Sequence, residues 1–91
     1  MISVKETIIV EGRYDKIRRA SVTDAQVNST DGFNIFKNKK KQKMIRRIAE
    51  KNGIIILTDS DRAGFLIRNF ICSFVKPEYI KHAYIPQIDG K

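Results

Sequence analysis

Two short apolar runs, each followed by acidic residues, constrain the fold of this 91-residue chain more than any other feature. Residues 7–10 read Thr-Ile-Ile-Val and precede Glu11, whereas residues 54–57 read Ile-Ile-Ile-Leu and precede Asp59 and Asp61. Short runs of mostly β-branched residues are typical of strands buried on both faces of a parallel sheet. Ligands bind to such sheets at the carboxyl ends of the strands. The sequence therefore predicts that these three carboxylates lie at one edge of a parallel sheet.

The remaining pattern alternates between strand and helix. Strands are predicted at residues 6–10, 25–28, 54–57 and 80–85, and helices at residues 14–20, 39–52 and 63–75. This alternation indicates an α/β fold with a mainly parallel four-stranded sheet flanked by about three helices. We expect Phe33, Ile35 and Phe36 to pack towards the sheet from the loop that follows the second strand. His82 is expected to be a partly buried structural residue of the last strand.

Length and composition indicate one small domain, residues 1–91, with 42% hydrophobic and 31% charged residues. No apolar stretch approaches the roughly 20 residues that a membrane span needs. The one cysteine, Cys72, excludes an internal disulfide, is expected in the core, and favours a cytoplasmic location. The sequence contains no glycine-rich nucleotide-binding loop, so we predict no organic cofactor. Residues 87–91 resemble the start of a connection, so we expect the chain to be the N-terminal part of a longer protein.

Positive charge is the second strong feature, because the formal net charge is +8 and its excess is concentrated. Seven basic residues fall within eleven positions that contain no acid: Lys37, Lys39, Lys40, Lys41, Lys43, Arg46 and Arg47. Such clustering is typical of a surface that binds nucleic acid, although a solvated helix face is the alternative. Arg62, Arg68 and Lys16 are further candidates for phosphate contacts because they lie near the acids in sequence, and each could equally be a surface charge.

The three acids suit a magnesium site. If residues 59–61 are extended, Asp59 and Asp61 point to the same side, and Glu11 ends a strand expected to be their neighbour. Mg²⁺ prefers oxygen ligands and is usually held by one or two carboxylates together with substrate phosphates, and a nearby glutamate could act as general acid or base. The alternatives are that Asp61 caps the last helix and that Asp59 fills a turn.

Residues 10–15, Val-Glu-Gly-Arg-Tyr-Asp, and residues 58–61, Thr-Asp-Ser-Asp, resemble the two acidic motifs of the toprim domain. The resemblance implies a compact, mainly parallel sheet with flanking helices. It also implies that Glu11 is a general acid or base and that Asp59 and Asp61 coordinate Mg²⁺, for which Mn²⁺ could substitute. Asp15 and Gly32 match further toprim positions near the site.

Residues 58–64, 67–68 and 82–86 resemble one branch of this family, the toprim ribonucleases that mature 5S ribosomal RNA. The resemblance covers nearly the whole chain, with Arg13 in place of a more usual lysine and Ser60 in place of a frequent proline. It implies a magnesium-dependent endoribonuclease that cleaves structured RNA, the 5S rRNA precursor, with a ribosomal protein as a further partner. In that branch a smaller domain follows the toprim domain.

Two other functions remain open at this point. The first is a non-catalytic toprim module that binds nucleic acid in DNA repair, recombination or replication. The second is a phospho-acceptor signalling domain, which is disfavoured because Lys81 stands at the start of the last strand rather than at its end. A topoisomerase would need a tyrosine nucleophile on a separate domain, and a primase would need additional domains.

Overall fold

A computed structural model describes residues 5–12 and 26–85 of the chain. Its sheet contains the four strands β1 (Thr7–Val10), β2 (Val27–Ser29), β3 (Ile54–Thr58) and β4 (Ile80–Tyr84). The strands lie in the order β2-β1-β3-β4 and every neighbouring pair is parallel. The predicted α/β fold with a parallel four-stranded sheet is therefore confirmed. The helix predicted at residues 14–20 lies outside the described residues.

Two α-helices are described, α1 (Lys39–Asn52) and α2 (Arg62–Cys72), together with 3₁₀ turns at Gly32–Phe36 and Pro77–Tyr79. The start of α1 is capped by Asn38, whose side-chain oxygen accepts a hydrogen bond from the Lys41 amide at 3.0 Å. Its end is set by Gly53, whose φ of 82° is favourable only for glycine. The bounds of α1 are those predicted from the sequence.

The end of α2 corrects the prediction, which extended this helix to Val75. The helix ends at Cys72 because its last turn tightens, with the Ser73 amide donating to Phe70 and the Phe74 amide to Ile71. The Ser73 hydroxyl also donates to the Phe70 carbonyl at 2.5 Å, which competes with continuation of the helix. Cys72, the last residue of the helix, is exposed, so the prediction that this cysteine lies in the core is wrong.

The core lies between one face of the sheet and both helices. It contains Ile9, Ile35, Ile45, Ala49, Ile54, Ile56, Ile67, Ile71 and Val75, all at most 3% exposed. The register pairs Ile9 with Ile56, which puts these two isoleucines on the same face. The apolar stripe predicted for α1 contributes Ile45 and Ala49 to this core. On the opposite face, Ile8 and Val10 are also buried, as expected for strands of a parallel sheet.

Because all four strands are parallel, each connecting helix must run back against the strand direction. Both α1 and α2 therefore begin at the edge of the sheet where the strands end, which we call the carboxyl edge. They end at the opposite edge, which we call the amino edge. The lysine-rich start of α1 and the acids that follow β1 and β3 consequently share the carboxyl edge. No helix within the described ranges is long and apolar enough to cross a membrane.

Replacement of Gly64 tests the packing of α2 against the end of β3. A Cβ atom at Gly64 would lie 2.7 Å from Thr58 Oγ1 and closer still to the Asp59 carbonyl oxygen, so the backbone would have to shift. Overpacking costs up to about 3 kcal/mol, whereas alanine gains at most about 1 kcal/mol in helix propensity. We expect Gly64→Ala to lower the free energy of urea unfolding by about 2 kcal/mol on the same principles.

Gly12→Ala is the matched control, because none of the described residues lies within 4 Å of a Cβ atom at this position. We expect this variant to change the free energy of unfolding by less than about 0.5 kcal/mol. Equal stability of the two variants would contradict the close packing of Gly64.

Candidate active site

The sheet brings the two acidic segments to adjacent strand ends. Strand β1 pairs with β3, with Val10 opposite Leu57, and Glu11 and Asp59 follow directly after β1 and β3. The chain connects β1 to β2 on one side, whereas β3 lies on the other side of β1. This change of direction creates the crevice in which open α/β sheets bind ligands. Glu11 and the segment that carries Asp59 and Asp61 therefore meet at the crevice.

The electrostatics of Glu11 reflect this neighbourhood. Burial raises the pKa of Glu11, and the negative charges of Asp61 and then Asp59 raise it further. Both aspartates therefore lie near enough to Glu11 for repulsion between the carboxylates to matter. A carboxyl group whose pKa is raised can hold a proton closer to neutral pH, as a general acid must.

Asp61 is the N-cap of α2, so the alternative weighed from the sequence is correct for this residue. One of its carboxylate oxygens, Oδ1, accepts a hydrogen bond from the Gly64 amide at 2.8 Å. Its backbone is extended, with φ −126° and ψ 176°. A carboxylate has a second oxygen and about four acceptor positions in all, so the cap leaves Oδ2 for another ligand.

The acids suit a metal ion by their chemistry rather than by forming a closed cage. Within residues 5–12 and 26–85, no group of three or more His, Cys, Asp and Glu side chains lies close enough to hold a metal ion. Mg²⁺ does not require such a group, since one or two carboxylates, waters and substrate phosphates usually hold it. The carboxylates of Asp59 and Asp61 therefore fit Mg²⁺ in number and in donor type, and Glu11 would stand beside it.

The backbone at Glu11 is held by the turn that follows β2. The Thr30 hydroxyl and the Gly32 amide both donate to the Glu11 carbonyl at 2.6 Å, and the Thr30 amide donates to Val10 at 2.9 Å. Gly32 has a φ of 65°. Gly32, selected through the family resemblance, thus contacts Glu11, whereas Asp15 lies outside the described residues.

Lys41 fixes this turn from α1. Its ammonium donates to the Ser29 carbonyl at 2.8 Å and pairs with Asp31 at 3.2 Å. Asp31 has a φ of 60°, a left-handed conformation that aspartate tolerates better than most residues, and its amide donates to the Ser29 hydroxyl. Lys41 was predicted to bind nucleic acid, but in this structure its charge is already engaged within the chain.

Arg68 also corrects the sequence-based set of phosphate contacts, because this residue is 3% exposed. Its guanidinium donates to Thr58 Oγ1 at 3.1 Å and to the Ile56 carbonyl at 3.0 Å, both on β3. It also donates to the carbonyl of Ala83 on β4. Arg68 therefore holds the ends of β3 and β4 together next to Asp59, and its burial removes it from any RNA-facing surface.

His82 and Tyr84 complete the contacts of this arginine. The His82 Nδ1 lies 2.8 Å from Arg68 Nη1 and must accept the hydrogen bond, because a guanidinium only donates. Burial lowers the pKa of His82, and the positive charge of Arg68 lowers it further. The Tyr84 ring lies 3.9 Å from the Arg68 guanidinium carbon, a cation–π contact. His82 is thus a structural partner, as predicted, although the residue as a whole is exposed.

The other predicted basic residues that the structure describes are on the surface, whereas Lys16 lies outside the described residues. The exposed set comprises Lys37, Lys39, Lys40, Lys43, Arg46, Arg47 and Arg62. Arg46 forms an i,i+4 ion pair with Glu50 at 3.5 Å, which is of little energetic weight at such exposure. Two shallow grooves are lined in part by this face of α1, and both include Arg47 and Ile48. A positively charged helix face therefore extends from the carboxyl edge along α1.

Sequence reasoning missed Thr30 and Gly64 as residues that shape the site. Thr30 is 1% exposed and binds the Glu11 carbonyl, whereas Gly64 allows α2 to approach Thr58 and Asp59. The spacing from Asp61 to Gly64 was a signal that could have been used. The backbone conformation at the third position of a helix does not require glycine. A glycine there therefore indicates that another segment packs closely against the helix.

Comparisons with known proteins agree with this architecture. The model of the Toprim domain matches residues 6–88. A ribonuclease M5 of Clostridium botulinum is 45% identical over 87 residues, which is 96% of this chain and 46% of that protein. The ribonuclease M5 of Clostridium acetobutylicum is 41% identical, and that of Fusobacterium nucleatum 37%, each over 96% of this chain and about half of its own length.

The chain thus spans about half the length of the curated relatives it matches. The match to the Toprim model runs through every described strand and includes both acidic segments at the carboxyl edge. This chain belongs to the Toprim domain family.

Proposed function

We propose that this chain is the catalytic domain of a magnesium-dependent endoribonuclease that cleaves structured RNA, with the 5S rRNA precursor as its substrate. The proposal is supported by the register of β1 and β3, which brings Glu11 and the segment of Asp59 and Asp61 to adjacent strand ends. Burial and then the charges of Asp61 and Asp59 raise the pKa of Glu11 there. Similarity to proteins named ribonuclease M5 supports the choice of substrate. A cytoplasmic location, a ribosomal-protein partner and a following domain remain predictions.

In the proposed mechanism Glu11 transfers the proton and the aspartates hold the metal. The oxygen of a water molecule attacks phosphorus while the bond from phosphorus to one sugar oxygen breaks, and Glu11 moves a proton to or from these oxygens. When bound by Asp59 and Asp61, Mg²⁺ would polarise a phosphoryl oxygen and stabilise negative charge on the leaving oxygen. Metal dependence is also what the similarity to toprim ribonucleases implies.

RNA is proposed to reach the crevice along the positively charged face of α1. This helix begins at the carboxyl edge, where Lys37, Lys39 and Lys40 are exposed, and Arg62 is exposed at the start of α2. Contacts between such side chains and phosphates position a nucleic acid without reading its sequence. We therefore expect the shape of the RNA and contacts other than these to select a particular RNA.

The phospho-acceptor alternative finds no support in the position of Lys81. Its ammonium lies 2.6 Å from the carboxylate of Glu6, which precedes β1. This lysine therefore forms its ion pair at the amino edge of the sheet, away from the acids at the carboxyl edge. A non-catalytic toprim module that binds nucleic acid remains the second candidate. It is favoured only by the absence of a three-residue metal cage within the described ranges. The two functions differ in whether RNA is cleaved when Mg²⁺ is added.

Replacement of the acids tests the catalytic proposal. We expect Glu11→Gln to lower the rate of RNA cleavage by roughly 10²–10⁴-fold, the usual contribution of a general acid or base. Asp59→Asn should abolish the response of cleavage to added Mg²⁺ or Mn²⁺, because it removes a ligand charge. RNA affinity measured in EDTA should stay close to that of the wild type for both variants.

Glu50→Gln is the control for the loss of an acid, because Glu50 is exposed on α1 and pairs only with Arg46 among the described residues. It should cleave at the wild-type rate. Unchanged cleavage in both Glu11→Gln and Asp59→Asn would overturn the mechanism. RNA binding by the wild-type chain without cleavage at any Mg²⁺ concentration would favour the non-catalytic module.

The raised pKa of Glu11 predicts how its replacement changes stability with pH. The folded state loses stability as the pH rises through a pKa that is higher in the folded than in the unfolded chain. We therefore expect Glu11→Gln to be more stable than the wild type at neutral pH in EDTA. The difference should vanish below about pH 4, where the glutamate is protonated in both states. Urea unfolding across this pH range measures the effect.

Glu78→Gln provides the comparison for this measurement, because Glu78 is exposed in the turn before β4. Its effect on the free energy of unfolding should remain within about 0.5 kcal/mol at each pH. A Glu11→Gln variant that is less stable than the wild type at neutral pH would contradict the repulsion inferred at the crevice.

Salt dependence tests the proposed RNA path. Each lysine that neutralises a phosphate contributes about 0.7–0.9 to the slope of log affinity against log salt concentration. We expect Lys37→Gln, Lys39→Gln and Lys40→Gln each to reduce the slope by about that amount. Lys76→Gln is the matched control, because Lys76 is exposed near the amino edge, where β4 begins. Equal effects of Lys76→Gln and the three α1-side variants would contradict the path.

A further inference from the structure

Arg68 is a buried cation that has no carboxylate partner among the described residues. It is 3% exposed and takes part in none of the ion pairs found there. Its guanidinium donates instead to uncharged groups, which are the Thr58 hydroxyl, the carbonyls of Ile56 and Ala83, and the His82 imidazole. Burial of a charge without an opposite charge is unfavourable, and an apolar side chain would fill the same space more easily. Packing alone therefore does not account for an arginine at this position.

The Thr58 hydroxyl connects Arg68 to the backbone of Asp59. Arg68 Nε donates to Thr58 Oγ1 at 3.1 Å, and the same hydroxyl donates to the Asp59 carbonyl oxygen at 3.0 Å. Because a guanidinium only donates, the hydroxyl keeps its own proton for the second bond. Thr58 is 1% exposed, so both bonds are shielded from water. We call these two hydrogen bonds the Thr58 relay, and they tie the backbone of Asp59 to α2 at the end of β3.

The same helix also binds Asp61. The Gly64 amide donates to Asp61 Oδ1 at 2.8 Å, and Gly64 lies four residues before Arg68. Residues four apart lie on the same face of a helix, and both of these are buried. One face of α2 therefore holds both aspartates, Asp61 through its carboxylate and Asp59 through its backbone.

We propose that Arg68 is a positioning residue for Asp59 and that it acts through the Thr58 hydroxyl. This inference rests on the proposed function, in which Asp59 and Asp61 hold the metal, and it deepens that role. Hydrogen bonds behind the ligands of a metal site orient them, and their loss typically lowers metal affinity or activity by roughly 10–100-fold. The Thr58 relay fixes the backbone from which the Asp59 side chain extends. Arg68 itself contacts neither metal nor RNA.

Thr58→Val tests the relay because it removes the hydroxyl and keeps the β-branched shape. Binding of Mn²⁺ is measured by electron paramagnetic resonance without RNA, so that the measurement does not depend on cleavage. We expect Thr58→Val to weaken Mn²⁺ binding by about 10-fold or more. Thr58→Ser keeps the hydroxyl and should bind Mn²⁺ like the wild type. A second measurement needs no metal: NMR order parameters of the amides of residues 59–61 in EDTA should fall in Thr58→Val and not in Thr58→Ser.

Arg68→Lys tests whether the arginine acts through the hydroxyl. This variant keeps the charge but loses the planar fork of donors, so we expect it to weaken Mn²⁺ binding as Thr58→Val does. Two residues of one relay are not additive, and combining the substitutions should therefore cause little further loss of Mn²⁺ affinity.

Ile71→Val is the control for a general loss of stability. Ile71 is fully buried on the next turn of α2 and takes no part in the relay. The cavity left by this substitution should lower the urea midpoint of unfolding. Mn²⁺ affinity should stay at the wild-type value.

Three outcomes would overturn the positioning role of Arg68. They are wild-type Mn²⁺ affinity in Thr58→Val, an equal loss of affinity in Ile71→Val, and fully additive losses for Thr58→Val and Arg68→Lys. Failure of the proposed function would give a different result, because a wild-type chain that binds no Mn²⁺ would refute the metal site. The order parameters then decide on the relay alone. A fall confined to Thr58→Val would support it, whereas unchanged values would refute it as well.

Discussion

The parallel pairing of β1 with β3 is the constraint on which the rest of the structure depends. Its register sets Val10 beside Leu57, so the residues that follow the two strands emerge together at the carboxyl edge. A slip of one residue would turn the buried isoleucines of β3 to the other face, which makes the register costly to change. The hydrophobic pattern that folds the sheet therefore also determines which acidic residues emerge at the same edge.

Buried polar contacts then hold the backbone on both sides of the acids. On one side Arg68 joins the ends of β3 and β4, through Ile56, Thr58 and the Ala83 carbonyl. On the other side Thr30 and Gly32 bind the carbonyl of Glu11. Like charges at short range repel each other and disfavour the ionised form. Repulsion among the three carboxylates would therefore push the strand ends apart if the carboxyl edge were flexible. These anchors hold the backbone at the acids against this repulsion. Burial, and then the charges of Asp61 and Asp59, raise the pKa of Glu11.

The sequence predicted the sheet and the acids well because both follow from local pattern. Runs of β-branched residues indicate buried strands, and the sequence itself shows which acids follow these runs. It failed for Arg68, which is buried, and for Phe36, which is 39% exposed, because contacts remote in sequence decide the exposure of both side chains. The carbonyl of Ala83 is fifteen residues from Arg68, and Phe70, on which Phe36 packs, is thirty-four residues from Phe36. The end of α2 was missed for a local reason, the hydrogen bond from the Ser73 hydroxyl to the Phe70 carbonyl.

The count of 18 lysines and arginines therefore overstates how many of them can contact a polyanion. Arg68 and Lys41 donate hydrogen bonds within the protein. Arg68 positions the end of β3 at Asp59, and Lys41 positions the turn at Gly32. Lysines with the same formal charge, such as Lys39 and Lys40, remain exposed on α1. Contacts within the fold, which sequence composition does not report, thus separate the basic residues that shape the crevice from those that remain free to attract a polyanion. In a chain this small, the same helix supplies both kinds, so binding and site geometry are coupled through α1.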